Sequence, residues 1–366
     1  MLTPTAIKAI DESRLHEDYE EWPAHCLSAL STQVQSPQIS EVRHVICTGM
    51  GGSGIVGDIL LDWLQHKIAV PIYVVKDYHL PRFIDDKSLV IAVSCSGNTE
   101  ETIGTVNEAL KAGARIATIS SGGILEKMSL NRQIAYTKIR SLVTPRSSLP
   151  YLFYAAANVL RDTGLLKNME LELHQSAKDI EHSKRLTSIY TNGNRNPAKR
   201  LAEWICGGLP VVYTSQLLRS SALRFKNSLN ENAKMHACVD LLPELCHNGI
   251  EAWTRDSRIA YRPVFLRNTG EPSEVRERFK LTERIIEEAG FKVESVQSSA
   301  TASLGTIMST IYLLDYASIY AAVLRNVDPT PTPNISELKR ELGRAQSGDA
   351  GEDDEPNIKT RNGRIT

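Results

Sequence analysis

An excess of charge of one sign, paired cysteines and an N-terminal apolar core are all missing from this sequence, and each absence removes a class of protein. With 42 Lys+Arg against 43 Asp+Glu, the formal net charge is −1. No polyanion-attracting field is expected, and nucleic acid is not an expected partner. The six cysteines (Cys26, Cys47, Cys95, Cys206, Cys238 and Cys246) include no C-x-x-C pair. Several lie in apolar runs, where a thiol packs as a small hydrophobe, so they are expected to be reduced. The first residues lack the apolar stretch of a signal peptide. The most apolar long stretch, residues 307–324, contains Asp315 and several Ser, Thr and Tyr residues. It is expected as a buried helix rather than a membrane span. The chain is therefore expected to be soluble and cytoplasmic, and its 366 residues, 42% hydrophobic and 23% charged, are enough for two domains that each bury a core.

What is present begins at residues 45–58, where the apolar run Val45-Ile46-Cys47 breaks into Gly49-Met50-Gly51-Gly52-Ser53-Gly54 before helical periodicity resumes. Strand, tight turn and helix are expected. Glycine permits the turn and lets an anion approach the N–H groups at the helix start, where the helix dipole favours negative charge. Gly49-x-Gly51-x-x-Gly54 also satisfies the dinucleotide fingerprint, with Asp77 at roughly the distance (about 20 residues) of a ribose-binding acid. A second loop argues for a phosphosugar instead. The strand 89–93 runs into Ser94-Cys95-Ser96-Gly97-Asn98-Thr99, placing three hydroxyls beside another helix start. A pyrophosphate has no need of that cluster, whereas a small sugar phosphate does. The bland alternative is that these residues only cap a helix, Asn98 with Glu101 having capping-box spacing.

Gly-Met-Gly-Gly-Ser-Gly followed some forty residues later by Ser-x-Ser-Gly-Asn-Thr resembles the sugar isomerase (SIS) domain, whose doubly wound sheet binds phosphosugars. The resemblance implies that Ser53, Ser94, Ser96 and Thr99 hold the phosphate, with Gly51 and Gly52 in the same cradle.

Along the chain, residues 1–40 are expected to be helical and amphipathic, with a break near Pro23. Strands are expected at 70–75, 89–93, 115–119 and 134–139, with a helix at 100–112. That alternation argues for a parallel sheet covered on both faces. Helices at 151–164 and within 165–192 lead to the loop Asn192-Gly193-Asn194, the expected domain boundary. A second alternating unit follows: strand 209–215, helix 217–229, strand 256–266, helix 273–289 and strand 291–296. It echoes the first with the glycines lost. The expected class is therefore α/β, two doubly wound parallel-sheet domains of SIS-type, flavodoxin-like form in tandem. Their bounds are a helical segment 1–40, domains 41–192 and 193–342, and a disordered acidic tail 343–366.

Chemistry is expected from the second half. Asn230-Glu231-Asn232 and, sixteen residues after Glu231, His247 in Glu244-Leu245-Cys246-His247-Asn248 supply a carboxylate and an imidazole. An aldose–ketose isomerase needs both, the imidazole for ring opening and the carboxylate to carry a proton between C1 and C2 through an enediol. An arginine near the developing enediolate adds electrostatic stabilisation. Arg146, between Pro145 and Pro150, is either that group or an ordinary solvated side chain. Glu231, His236 and His247 lack the spacing of a zinc site.

Taken jointly, these motifs over residues 20–342 resemble the bifunctional phosphoglucose/phosphomannose isomerases. The resemblance implies that Glu231 is the proton-transferring base, that His247 comes from the neighbouring subunit of a homodimer, and that Arg146 steadies the enediolate. It further implies that Lys339 is the C-terminal active-site lysine and that Thr332 bears on acceptance of both C2 epimers. The expected substrates are phosphorylated hexoses, with glucose 6-phosphate and mannose 6-phosphate interconverted with fructose 6-phosphate and neither metal nor cofactor required. The alternative is a non-catalytic SIS-type phosphosugar-binding regulator, which has no reason to keep Glu231 and His247.

Overall fold

Apolar runs that break into glycine or serine become parallel strands feeding helices in the computed structural model, which describes residues 2–255 and 258–347. Three short helices come first, α1 (Pro4–Ile10), α2 (Leu15–Glu20) and α3 (Trp22–Leu30). Pro23 lies in the first turn of α3, where a missing N–H removes no helical bond, so the break near it is the junction of α2 and α3. The first sheet is built from β1 (His44–Thr48), α4 (Gly51–Leu64), β2 (Ile72–Val75), β3 (Ser88–Val93), α5 (Glu100–Lys111), β4 (Arg115–Ser120), α6 (Gly123–Arg132) and β5 (Ala135–Lys138). All its strands are parallel, in the order β2-β1-β3-β4-β5. The winding reverses at β1 and β3, the place where open α/β sheets bind ligands. Thr48 pairs with Ala92, so the glycine and hydroxyl loops leave the same edge of the sheet side by side.

Helices α7 (Leu149–Asp162), α8 (Glu170–Thr187) and α9 (Pro197–Ile205) lead to the second sheet. Its elements are β6 (Leu209–Thr214), α10 (Arg219–Ser228), β7 (Cys238–Leu241), β8 (Tyr261–Asn268), α11 (Ser273–Glu288) and β9 (Glu294–Ser298). The order β7-β6-β8-β9, again all parallel, repeats the first winding with one strand fewer. The α/β class with two doubly wound parallel sheets is thus what the chain adopts. Four elements differ from expectation. Helix α6 and strand β7 had no counterpart in the sequence reading. Strand β8 starts at Tyr261, residues 256 and 257 lying outside the described residues, and β9 falls a few residues late.

Helix α12 (Ser303–Leu324) is long and apolar enough to cross a membrane, yet it is buried within the protein. It packs on α8, α9 and α10 and, through Tyr312 and Tyr316, on the N-terminal Tyr19 and Trp22. Its one charge, Asp315, is fully buried and paired with Arg224 at 2.7 Å. The described cysteines are all free.

Residues 2–330 form one unit. The second, described by itself, contains α13 (Pro333–Ser347), whose first turn is closed by bonds from the Ser336 amide and hydroxyl to the Thr332 carbonyl. Lys339 is exposed on this helix. The helix continues into the stretch expected as tail, and residues 348–366 lie outside the described residues.

Candidate active site

At Gly49 and Gly54 the turn after β1 is closed to any residue larger than glycine. A Cβ on Gly49 would stand 2.6 Å from the Val93 carbonyl oxygen, and one on Gly54 would stand 2.4 Å from that of Gly49. Gly51 has φ +52°, the left-handed region that glycine enters without penalty. Helix α4 therefore starts against the end of β3, and the buried Ser53 hydroxyl accepts a bond from the Cys95 amide at 3.0 Å, tying the two loops together.

In the second loop the Ser94 and Thr99 hydroxyls are 2.8 Å apart, and Ser94 Oγ also accepts from the Gly97 amide at 3.1 Å. Ser96 is exposed, its hydroxyl accepting from the Asn98 amide at 3.3 Å. The capping-box alternative does not hold. Asn98 Oδ1 accepts from the Ile124 amide at 3.0 Å, bracing α6, and neither α4 nor α5 has a side-chain cap. Two uncapped helix starts and four hydroxyls thus meet at one edge of the sheet, an arrangement suited to a phosphate dianion.

Arg146 links this cradle to Glu231. Its backbone closes over the first loop, Arg146 Cα lying 3.2 Å from where a Gly52 Cβ would be. Its guanidinium, almost fully buried, donates from Nη1 to Glu231 Oε2 at 3.2 Å and from Nε to Asn232 Oδ1 at 2.6 Å. From Nη2 it donates to the carbonyls of Pro329 at 2.7 Å and Thr330 at 3.0 Å. The solvated reading of this arginine is excluded. Reciprocal bonds between Thr144 and Ser147 hold its loop, each side chain accepting from the other's amide at 3.1 Å.

Glu231 sits in a short π-helical turn, Leu229–Ala233, that extends α10. Such turns widen a helix locally and recur at functional sites. The Glu231 carboxylate is a quarter exposed, so it is braced on one side by Arg146 and open on the other. Lys234 closes the turn with a left-handed backbone and an Nζ bond to the Glu231 carbonyl. Partial burial, reinforced by Arg146, lowers its pKa, against the opposing pull of Asp328 and Glu231.

Sequence reasoning missed the groups behind this pair. Asp315 receives Arg224, Ser228 and Tyr19, and Arg224 in turn donates to the Arg146 carbonyl at 2.7 Å. Ser318, one turn along α12, accepts from Asn232 Nδ2 at 2.7 Å. The signal was available in Asp315 itself, because a carboxylate inside a long apolar helix needs a partner. His247 is not bonded to the pair. It is exposed at the end of the one-turn helix Glu244–His247, and its ring has no hydrogen-bond partner among the described residues. Lys339 and Thr332 belong to the second unit.

The second sheet's echo of the cradle is already filled. At the start of α10 the Ser220 amide donates to Asp62 Oδ2 at 2.6 Å, and Arg219 donates to Asp62 at 2.9 Å and Asp58 at 3.0 Å. A carboxylate from α4 takes the anion's position there.

Comparison with known proteins agrees with this architecture. Residues 38–145 match the SIS domain, and residues 194–342 match the bacterial phospho-glucose isomerase C-terminal SIS domain. A bifunctional phosphoglucose/phosphomannose isomerase of Thermoplasma volcanium is 34% identical over 86% of this chain and 98% of its own length. One of Aquifex aeolicus is 31% identical over 83% of this chain and 92% of its own. Among solved structures, a hypothetical protein from Thermus thermophilus superposes with a TM-score of 0.68 at 15% identity, covering 96% of this chain and 91% of that one.

Proposed function

The chain belongs to the family of bifunctional phosphoglucose/phosphomannose isomerases, and from that premise we infer that it is an aldose–ketose isomerase acting on phosphorylated hexoses. It interconverts glucose 6-phosphate and mannose 6-phosphate with fructose 6-phosphate through a cis-enediol. The two aldoses differ only at C2 and give the same enediol, so one mechanism serves both. The phosphate rests on the amides at the starts of α4 and α5 and on Ser53, Ser94, Ser96 and Thr99. Glu231 removes the C2 proton of the open-chain aldose and returns it to C1. Arg146 stabilises the negative charge that develops on the enediolate oxygens.

The observation that carries this reading is the continuity through Arg146, whose backbone covers the glycine loop while its side chain braces Glu231. His247, exposed and with its ring unbonded among the described residues, acts in ring opening at the site of a second copy, in a cytoplasmic homodimer. Lys339 and Thr332 enter the reading on resemblance alone.

A coupled assay of the purified protein with each aldose 6-phosphate, with and without chelator, tests the function. Turnover of both aldoses in chelator is expected. Activity that disappears with chelator and returns with zinc would contradict a reaction run by these side chains alone.

A further inference from the structure

Four charged groups stand apart from the catalytic pair and take no part in the proposed chemistry. They are Asp58 and Asp62 on α4, Arg219 at the head of α10, and Lys76 just after β2. Asp62 is wholly buried and Asp58 almost so, and Arg219 bonds one oxygen of each. Lys76 takes the other oxygen of Asp58, and the Ser220 amide takes the other oxygen of Asp62.

The position of this cluster is informative. Helix α4 begins at the phosphate cradle, and the cluster lies in its second half. Helix α10 begins at the cluster, and its π-helical extension ends at the Glu231 turn. The two helices pack together and run in opposite senses, since α4's far half meets α10's head while Arg146 joins α4's head to α10's tail. Asp62 follows Gly51 by the same number of residues as Glu231 follows Ser220, a span of about 16 Å at helical rise. Two arms of equal length are therefore fastened at one end, with the phosphate and the base at the other.

We propose that the Asp58–Arg219–Asp62 cluster is a positioning clamp for the isomerisation, fixing α4 against α10 and so setting the distance from the bound phosphate to the Glu231 carboxylate. The proposal rests on the function inferred above. A six-carbon sugar held by its phosphate presents C1 and C2 at a fixed reach, and a displacement of about 1 Å between the holding group and the base can cost on the order of a hundredfold in rate. Stability alone does not account for such a cluster. Burial pushes the Asp62 carboxyl up to about 6, against the pull of Arg219 and the Ser220 amide, so its charge is costly to keep. Apolar side chains of similar volume commonly hold helices together at least as well as a buried ion pair does. Geometry distinguishes the two solutions. A guanidinium shared between two carboxylates fixes the helical register, whereas an apolar patch permits sliding.

The test compares the unaltered protein with the triple variant Asp58→Asn, Asp62→Asn, Arg219→Met, in which position 62 keeps an oxygen for the buried Ser220 amide, and with the single variant Arg219→Lys. The measurements are kcat on both aldoses, affinity for inorganic phosphate, and Tm. The triple variant is expected to keep its Tm and to bind phosphate within about twofold, because the cradle is intact, while kcat falls by on the order of thirtyfold or more. Arg219→Lys, which keeps the charge but loses the fork, should fold normally and lose about tenfold in kcat, and it decides the question if the triple variant fails to fold. A folded variant whose kcat stays within about threefold of the unaltered protein overturns the clamp. Turnover by the unaltered protein reads the proposed function separately. None there sinks that function and the clamp with it, whereas full turnover there and in both variants sinks the clamp alone.

Discussion

Arg146 stands 3.2 Å from the Glu231 carboxylate, and its own Cα lies against the place where a Gly52 side chain would start. One residue thus touches both the loop expected to hold the phosphate and the group expected to move the proton. Three substitutions and one pH dependence follow from that contact and its supports.

Replacing Arg146 by lysine keeps the positive charge but loses the planar fork that reaches Glu231, Asn232 and two carbonyls at once. The expected result is a loss of about 10²–10³ in kcat for both aldoses, with substrate KM changed far less. Steady-state kinetics on the purified variant measure it. An equal loss on one aldose only would place Arg146 at C2 rather than over the enediolate.

Gly52→Ala puts a methyl group 3.2 Å from Arg146 Cα, closer than such contacts usually come, so the arginine loop must give way. The helical backbone of α4 tolerates alanine at this position, which isolates the effect of the contact. A stability loss of about 1–3 kcal/mol by urea unfolding is expected, as for other overpacked sites. A larger proportional loss should appear in kcat/KM. Unchanged kinetics would show that the loop and Arg146 move independently.

Asp62 gives a pH dependence with a definite sign. Its folded pKa of about 6 lies above the ordinary 3.8, so the fold holds this proton more tightly than the unfolded chain does. Stability from this group is greatest at low pH, falls as pH rises through the interval between those values, and is flat beyond it. Asp62→Asn removes the titration. Between about pH 7.5 and about pH 5 the unaltered protein should gain roughly 1.4 kcal/mol relative to the variant, measured by chemical unfolding at both pH values. No relative gain would mean that Arg219 holds the carboxylate ionised throughout.

Much of this arrangement was legible in the sequence because it is local. A glycine run after an apolar strand dictates a tight turn, and hydroxyls after a second strand mark a second helix start, so both loops and nearly all strands of the first sheet lie where periodicity put them. Helix α6 was missed because its apolar residues form no continuous stripe, only Leu125 and Ser129 being buried. Strand β7 was missed because it is a short edge strand of mixed burial.

Long-range pairing was legible only where the resemblance put Arg146 and Glu231 in one site. Arg224 meets Asp315, and Arg219 meets Asp62, across most of a domain's length, and nothing in local spacing ties such partners together. Asn98 looked like the cap of its own helix and instead braces the next one, because Gly97 turns the loop toward Gly122, where a side chain would stand 1.8 Å from a carbonyl oxygen.

The most direct measurement is turnover of Glu231→Gln on glucose 6-phosphate and mannose 6-phosphate, with phosphosugar binding measured on the same preparation. The account predicts a fall of several orders of magnitude on both aldoses with binding retained, because an amide can occupy the carboxylate's place but cannot take up the C2 proton. Turnover equal to that of the unaltered protein on either aldose would contradict it.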